Sequence, residues 1–256
     1  TIGIAPICQL VSVTGSDMSI RFTCVCALVF LAPSTNGAPP ATTANEPPAE
    51  INRDFLDPAL DPETWIGRFE VESREVFAAR KSIITSLGLR PGDRIADIGS
   101  GTGLYLAPFS AGVGPHGRVY AIDISPRLVE FVEKRAKDEN LDNVVVVLST
   151  ATSIGLSPGA VNRAFVCDAY HHFERHEAML VSIFDSLVPG GEFVVVDFNR
   201  IPGVSREWVI GHVRASKETV REEIEAAGFG FVEEVEVEEF RENYLLRFRK
   251  PRIAAP

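Results

Sequence analysis

The chain has 256 residues, 45% of them apolar and 23% charged, with 35 Asp and Glu against 25 Lys and Arg for a formal charge of −10. That length suits one large domain with an appendage and excludes a disulfide-stapled miniprotein, while the acidic balance speaks against a nucleic-acid partner, which needs a basic face for phosphates. Sixteen Phe indicate an aromatic core, and of four Cys only Cys167 lies in the body, so body cysteines alone build no disulfide or metal centre.

Residues 1–38 read as an upstream segment and a signal peptide. Met18-Ser-Ile-Arg21 leads into an apolar or small-residue run at 22–32, with small residues near Gly37-Ala38. Met18 is taken as the natural start, with 1–17 as upstream sequence read in frame. The run is shorter than the roughly 20 apolar residues a bilayer span requires, so no stable membrane span is expected in the mature protein. Such a signal places the protein in the periplasm; without it the chain is cytoplasmic. Five prolines between Leu31 and Glu50 then mark a linker, expected to be disordered over 39–60.

The body, 61–252, switches repeatedly between short β-rich runs and helical ones. Asp61-Pro62 has the form of an N-cap followed by proline in the first turn. Residues 65–87 carry Phe69, Val76, Phe77, Ile83, Ile84 and Leu87 near helical spacing, with Gly88 as the stop. Strands are expected at 94–98, 118–122, 144–148, 161–167 and 192–198, with 144–148 apolar enough to be buried on both faces. Helices are expected at 104–111, 126–139 (N-cap Ser125), 176–187 and 216–227. Two last strands, near 231–238 and 242–249, form a pair expected to be antiparallel. Strand alternating with helix predicts an α/β fold whose mostly parallel sheet is covered on both sides.

The first chemical constellation is a glycine loop with a distant acid. Gly99, Gly101 and Gly103 sit at alternate positions between a strand and a helix, where backbone can approach a ligand closely. Twenty residues after Gly103, a second strand ends in Asp123, the spacing at which a carboxylate accepts ribose hydroxyls in doubly wound folds. A dinucleotide fingerprint fails, because the position due for a third glycine is Leu104 counting from Gly99 and Leu106 counting from Gly101. Asp97 opposes a pyrophosphate and suits a cationic amine. A ligand with ribose and an amino group but no diphosphate is implied, and S-adenosylmethionine meets those conditions.

The stretches IADIGSGTG, VYAIDIS and LVPGGEFVVVDF resemble the class I S-adenosylmethionine-dependent methyltransferases, over 89 to about 250. Within them the chain is most similar to small-molecule enzymes of the ubiquinone/menaquinone-biosynthesis-like group. The resemblance implies a Rossmann-like doubly wound sheet of seven strands, the last inserted antiparallel beside the fifth. It implies that Asp97, Gly99, Ser100, Gly101 and Gly103 line the methionine end, with Tyr105 beside them. Asp123 then binds the ribose and Ile124 packs on the adenine. The family's usual acid after the third strand is missing, and Thr150 or a backbone group would serve instead. Asn162 stands where a second acid commonly opens the fourth strand.

The second constellation is Asp168-Ala-Tyr-His-His172 at the end of the fourth strand, where an open sheet presents groups to a ligand. Asp168 or Tyr170 can touch the methionine end or the acceptor. His171 or His172 can take a proton from an acceptor hydroxyl; the blander alternative is that one caps a helix and the other packs on Phe173. A metal reading draws on Asp168, His171, His172 and His176, but Mg²⁺ prefers carboxylates and the spacing is unlike an ordered zinc site, so no metal is expected.

After the fifth strand, Arg206, Trp208, His212 and Arg214 form either an acceptor lid or a core anchor with solvated arginines. The segment Phe69–Arg74 is a second closing element. The expected function is methyl transfer from S-adenosylmethionine to an O, N or C atom of a small-molecule acceptor. The alternatives are a non-catalytic sensor of that cofactor or its demethylated product, and an NAD(P)-dependent oxidoreductase.

Overall fold

The computed structural model describes residues 50–252, so the expected signal peptide and the first half of the linker lie outside the described residues. Residues 50–60 correct the linker's far end. They fold: Asn52 opens helix α1 (Arg53–Leu56), and its buried side chain donates to the His172 carbonyl at 3.0 Å. A proline-rich composition upstream had masked Phe55 and Leu60, which have apolar surface to bury.

Asp61 caps α2 (Pro62–Phe69) as its residue type dictates, accepting from the Glu63 amide at 3.3 Å. The single helix expected over 65–87 is three pieces: α2, α3 (Glu75–Ala78) and α4 (Arg80–Leu87). The break falls where two charged side chains reach away from the helix axis: Glu70 pairs with Arg135 at 2.6 Å and Arg74 with Asp168 at 2.5 Å. Periodicity continued through the break, but tertiary ion pairs decided the backbone.

The chain then alternates β1 (Arg94–Ile98), α5 (Leu106–Val113), β2 (Arg118–Asp123), α6 (Pro126–Asp138), β3 (Val144–Leu148), β4 (Val161–Cys167) and α7 (His176–Ser186). It closes with β5 (Leu187–Phe198), α8 (Glu207–His212), α9 (Lys217–Ala226), β6 (Gly230–Glu234) and β7 (Asn243–Arg249). Helix α5 starts two residues later than expected because Gly103, at φ +86°, still belongs to the turn. Strand β6 stops at Glu234 rather than near 238, after a register shift between Phe231 and Glu233.

The strands order as β3-β2-β1-β4-β5-β7-β6, parallel except that β7 runs antiparallel between β5 and β6. This is the seven-stranded doubly wound sheet the resemblance implied. One correction concerns β3. Its VVVVL run was expected to be buried on both faces, yet it is an edge strand with Val145 and Leu148 exposed. An uninterrupted apolar run cannot distinguish an edge from a centre, since both carry β-branched residues.

Alternating strand positions feed two cores. Ile95, Val119, Phe165 and Val194 face α3, α4 and α5, where Phe109 and Phe165 meet edge to face at 5.4 Å. Ala96, Ile122, Val166 and Val195 face α7 and α9. Each buried aromatic contributes roughly 1.5–3 kcal/mol by leaving water. Between the cores the strand order reverses at β1 and β4, which opens a crevice at their carboxyl ends. Among the described residues, no helix is long and apolar enough to cross a membrane.

Candidate functional site

The crevice is a cavity of about 910 Å³, floored by the loop after β1 and by the ends of β2 and β4, and roofed by α1, α2 and α8. Gly99 makes the closest approach. At φ +73° it occupies the left-handed region, and a Cβ there would stand 2.5 Å from that of Ala169. Gly103 is not on the cavity wall; a Cβ there would meet Leu106 at 2.6 Å, so this glycine shapes the loop by its packing.

Two carboxyls lie beneath the loop. Asp123 accepts from the Gly101 amide at 2.8 Å and the Ser125 amide at 2.9 Å, which ties the loop to β2. Those bonds use two of about four lone-pair directions and leave the rest for a ligand. Asp97 is 2% exposed, and among the described residues its Oδ2 has no hydrogen-bond partner, nor has the buried Ser100 Oγ. Burial, and then the charge of Asp123, push the Asp97 carboxyl up to about 7. Burial lifts Asp123 to about 6, against the pull of its backbone donors. A buried, unpartnered carboxylate is costly unless something cationic or donating meets it. The amino-acid end and ribose of S-adenosylmethionine have that chemistry, so the residues present fit this cofactor.

The remaining cofactor candidates divide. Ile124 and Thr150 border the cavity, but Thr150 is exposed, and its hydroxyl accepts from the Thr152 amide at 3.3 Å within a local turn. Its own amide donates to Ser153, so neither group is held ready for a base. Tyr105 borders the cavity with its ring edge-on to Phe165, while its hydroxyl donates to the Val76 carbonyl at 3.1 Å. That bond anchors the segment after α2 more than it addresses a ligand.

Asp168 leaves β4 at φ +49°, an unfavourable conformation for a residue with a Cβ. Three contacts hold it there: its amide donates to Val196, and its carboxylate accepts from Arg74 at 2.5 Å and from Asn243 at 2.8 Å. Burial nonetheless lifts the carboxyl to about 6, the charge of Arg74 opposing. With both oxygens engaged, Asp168 is a wall and a clasp for Arg74, whose guanidinium lies over the Phe69 ring.

Next come the histidines. The turn Tyr170–His172 places His171 against β5, where its Nδ1 lies 2.7 Å from Asp197 Oδ1 and its amide donates to Asp197 Oδ2 at 3.0 Å. In the neutral ring this leaves the lone pair on Nε2. His172 Nδ1 sits 3.2 Å from Asn52 Oδ1. The Asn52 amide nitrogen is committed to the His172 carbonyl and Glu174, so Oδ1 accepts, and the His172 lone pair also falls on Nε2. Burial, followed by the neighbouring imidazoles, pulls His172 down to about 2. Burial, followed by the His171 ring, also lowers the half-buried His212, with Asp197 opposing.

Tyr170 points the other way, donating to Glu223 at 2.8 Å. Arg214 grips the same Glu223 through both terminal nitrogens, so it is buried behind the site and is not part of a lid. Trp208 and Arg206 do border the cavity, with Trp208 49% exposed and stacked on His212 at 4.7 Å. The four metal ligands considered from sequence do not assemble, since Asp168 is taken by Arg74 and His176 turns to Glu223 at 3.6 Å. Instead, ligand atoms of His171, His172 and His212 lie within 4.8 Å of one another. Sequence reasoning missed Asn52, Phe55 and Trp65 as cavity walls and Asp197 as the partner of His171. Only Asp197 carried a signal, as an acid at the carboxyl end of a central strand.

A family model described as a methyltransferase domain matches residues 89–247. Over 122 residues the chain is 29% identical to the ubiquinone/menaquinone biosynthesis C-methyltransferase UbiE of Photorhabdus laumondii, which covers 47% of this chain and 49% of that protein. The UbiE of Ectopseudomonas mendocina is 30% identical over 117 residues, 45% of each chain. The chain thus spans about half the length of the curated relatives it matches. A solved structure, a SAM-dependent methyltransferase from Aquifex aeolicus, is similar with a TM-score of 0.65 at 25% identity, covering 74% of this chain and 98% of that one.

Proposed function

The chain belongs to the class I S-adenosylmethionine-dependent methyltransferases, and from that premise we propose that its cavity carries methyl transfer to a small-molecule acceptor with an aromatic or otherwise flat apolar body. The observation that carries this reading is Asp97. A buried carboxylate with a free oxygen, beneath a glycine loop braced by Asp123, suits a cationic nucleoside and opposes a diphosphate. When bound, the cofactor supplies a methyl group on a positively charged sulfur.

The chain's own residues do the rest by placement. Asp97 and Ser100 hold the amino-acid end, while Asp123 takes the ribose hydroxyls beside Ile124. Ring faces of Phe55, Trp65, Phe69 and Trp208 wall the other half of the cavity and keep water from the reacting atoms. Alignment and exclusion of water supply much of the acceleration in an in-line displacement. His171, oriented by Asp197, presents the lone pair that handles an acceptor's hydroxyl, with His172 beside it at a ring separation of 4.4 Å. The UbiE relatives are named C-methyltransferases, which makes the carbon of a hydroxylated ring the first acceptor atom to test.

Calorimetry with S-adenosylmethionine and S-adenosylhomocysteine should give one site per chain, weakened at least tenfold in Asp97→Asn. Labelled cofactor with phenols and quinols should then give methylated product. Binding without transfer to any acceptor would favour the sensor. No heat with either nucleoside, together with uptake of NADH, would overturn the reading.

A further inference from the structure

The three imidazoles at the acceptor end come from two separate elements. His171 and His172 come from the turn after β4, and His212 ends α8 after β5. Their ring centres are 4.4, 5.1 and 5.2 Å apart. A tetrahedral ion bound about 2.0–2.1 Å from each nitrogen would hold three ring centres roughly 5 Å apart, so the rings already stand at the required separation. One ligand atom of each ring lies within 4.8 Å of those of the other two.

The outer contacts match as well. Metal-binding imidazoles are held at their second nitrogen by a carboxylate or carbonyl, and here Asp197 holds Nδ1 of His171 and the Asn52 carbonyl holds Nδ1 of His172. Asp197, 1% exposed, is the carboxylate that faces His171. Nothing in a methyl-transfer cavity demands this third histidine, carried to the site by a separate helix.

We propose that His171, His172 and His212 bind a divalent transition-metal ion of the Zn²⁺ class through their imidazole nitrogens, leaving a coordination place open to the cavity. Three histidine ligands with an open fourth place is the arrangement of a catalytic rather than a structural ion. The open place suits an oxygen donor; with the ion bound, the His171 lone pair is given to the metal and the acceptor's hydroxyl meets the ion in its place, and only that assignment rests on the methyltransferase reading.

The test uses the full chain with Zn²⁺ in equilibrium dialysis and Co²⁺ as a visible probe. One ion per chain is expected, with cobalt bands of tetrahedral nitrogen ligation and quenching of Trp208, which stacks on His212. His212→Ala should abolish binding, and Asp197→Asn or Asn52→Ala should weaken it about 10–100-fold. His116→Ala and His176→Ala should leave it intact. Because His171 is buried and its removal can unfold the protein, the half-exposed His212 and the Trp208→Phe loss of quenching carry the decision. No stoichiometric binding, binding that survives in His212→Ala, or cobalt spectra with thiolate charge-transfer bands in place of nitrogen ligation would overturn the site. S-adenosylmethionine calorimetry on the His212→Ala protein should be unchanged, which separates failure of the metal site from failure of the methyltransferase reading.

Discussion

Gly99 and Ala169 lie so close that a Cβ added to the glycine would stand 2.5 Å from the alanine's own. The contact joins the loop after β1 to the turn after β4, the two strands that flank the crevice. Gly99→Ala therefore meets two penalties, a left-handed backbone costing roughly 1–2 kcal/mol and a steric clash. Adding Ala169→Gly should relieve the clash and leave the backbone term. Cofactor affinity should fall sharply in the single variant and recover in part in the double. Equal affinity in both variants would show that the contact is not what fixes the loop.

The pH dependence of cofactor binding follows from Asp97 and Asp123. Both carboxyls are lifted, to about 7 and about 6, so the folded ligand-free chain holds protons that the unfolded chain has released. Stability of that form falls as pH rises from near 4 toward 7, because the folded state binds more protons there. A cationic ligand favours the ionised carboxyls. Affinity should therefore rise between pH 5.5 and 7, by up to about tenfold per unit for each proton displaced. Calorimetry at pH 6 in buffers of unlike ionisation heat should show proton release, largely lost in Asp97→Asn. A flat affinity across this range would contradict the placement of Asp97 against the cation.

Arg74 and Asp168 make the third case. Removing a partner from a buried pair typically costs 3–5 kcal/mol because a charge is stranded. Asp168 can escape by taking a proton, since burial has already lifted it to about 6. Arg74→Ala should thus destabilise strongly at pH 8 and mildly at pH 5, measured by urea unfolding at each pH. A penalty independent of pH would mean that Asp168 does not change its protonation between pH 5 and 8.

The strands of the parallel sheet were legible because each repeats an apolar core and ends at a turn signal, whereas the place of the last strand beside the fifth followed from the family resemblance and not from any local pattern. The glycine loop and Asp123 were legible because their chemistry is local, with spacing along the chain standing in for distance. The break between α2 and α4 was not, since Glu70 and Arg74 look like ordinary helix-surface charges until Arg135 and Asp168 are placed beside them. His212 was seen only as part of a lid, because nothing in its neighbourhood points 40 residues back to His171 and His172. Asn52 was hidden by composition. Its partner is 120 positions away, and no periodic pattern spans that separation.

Asn52, Phe55 and Trp65 give the cavity a ceiling drawn from the polypeptide ahead of the sheet. Shortening the protein to begin at Asp61 would spare every strand and the two apolar layers that support them. It would also strip the amide from His172 and an aromatic ring from its T-shaped packing. Heat resistance and catalytic competence would then part company: the trimmed molecule would melt much as before while its reaction chamber stood open to bulk water.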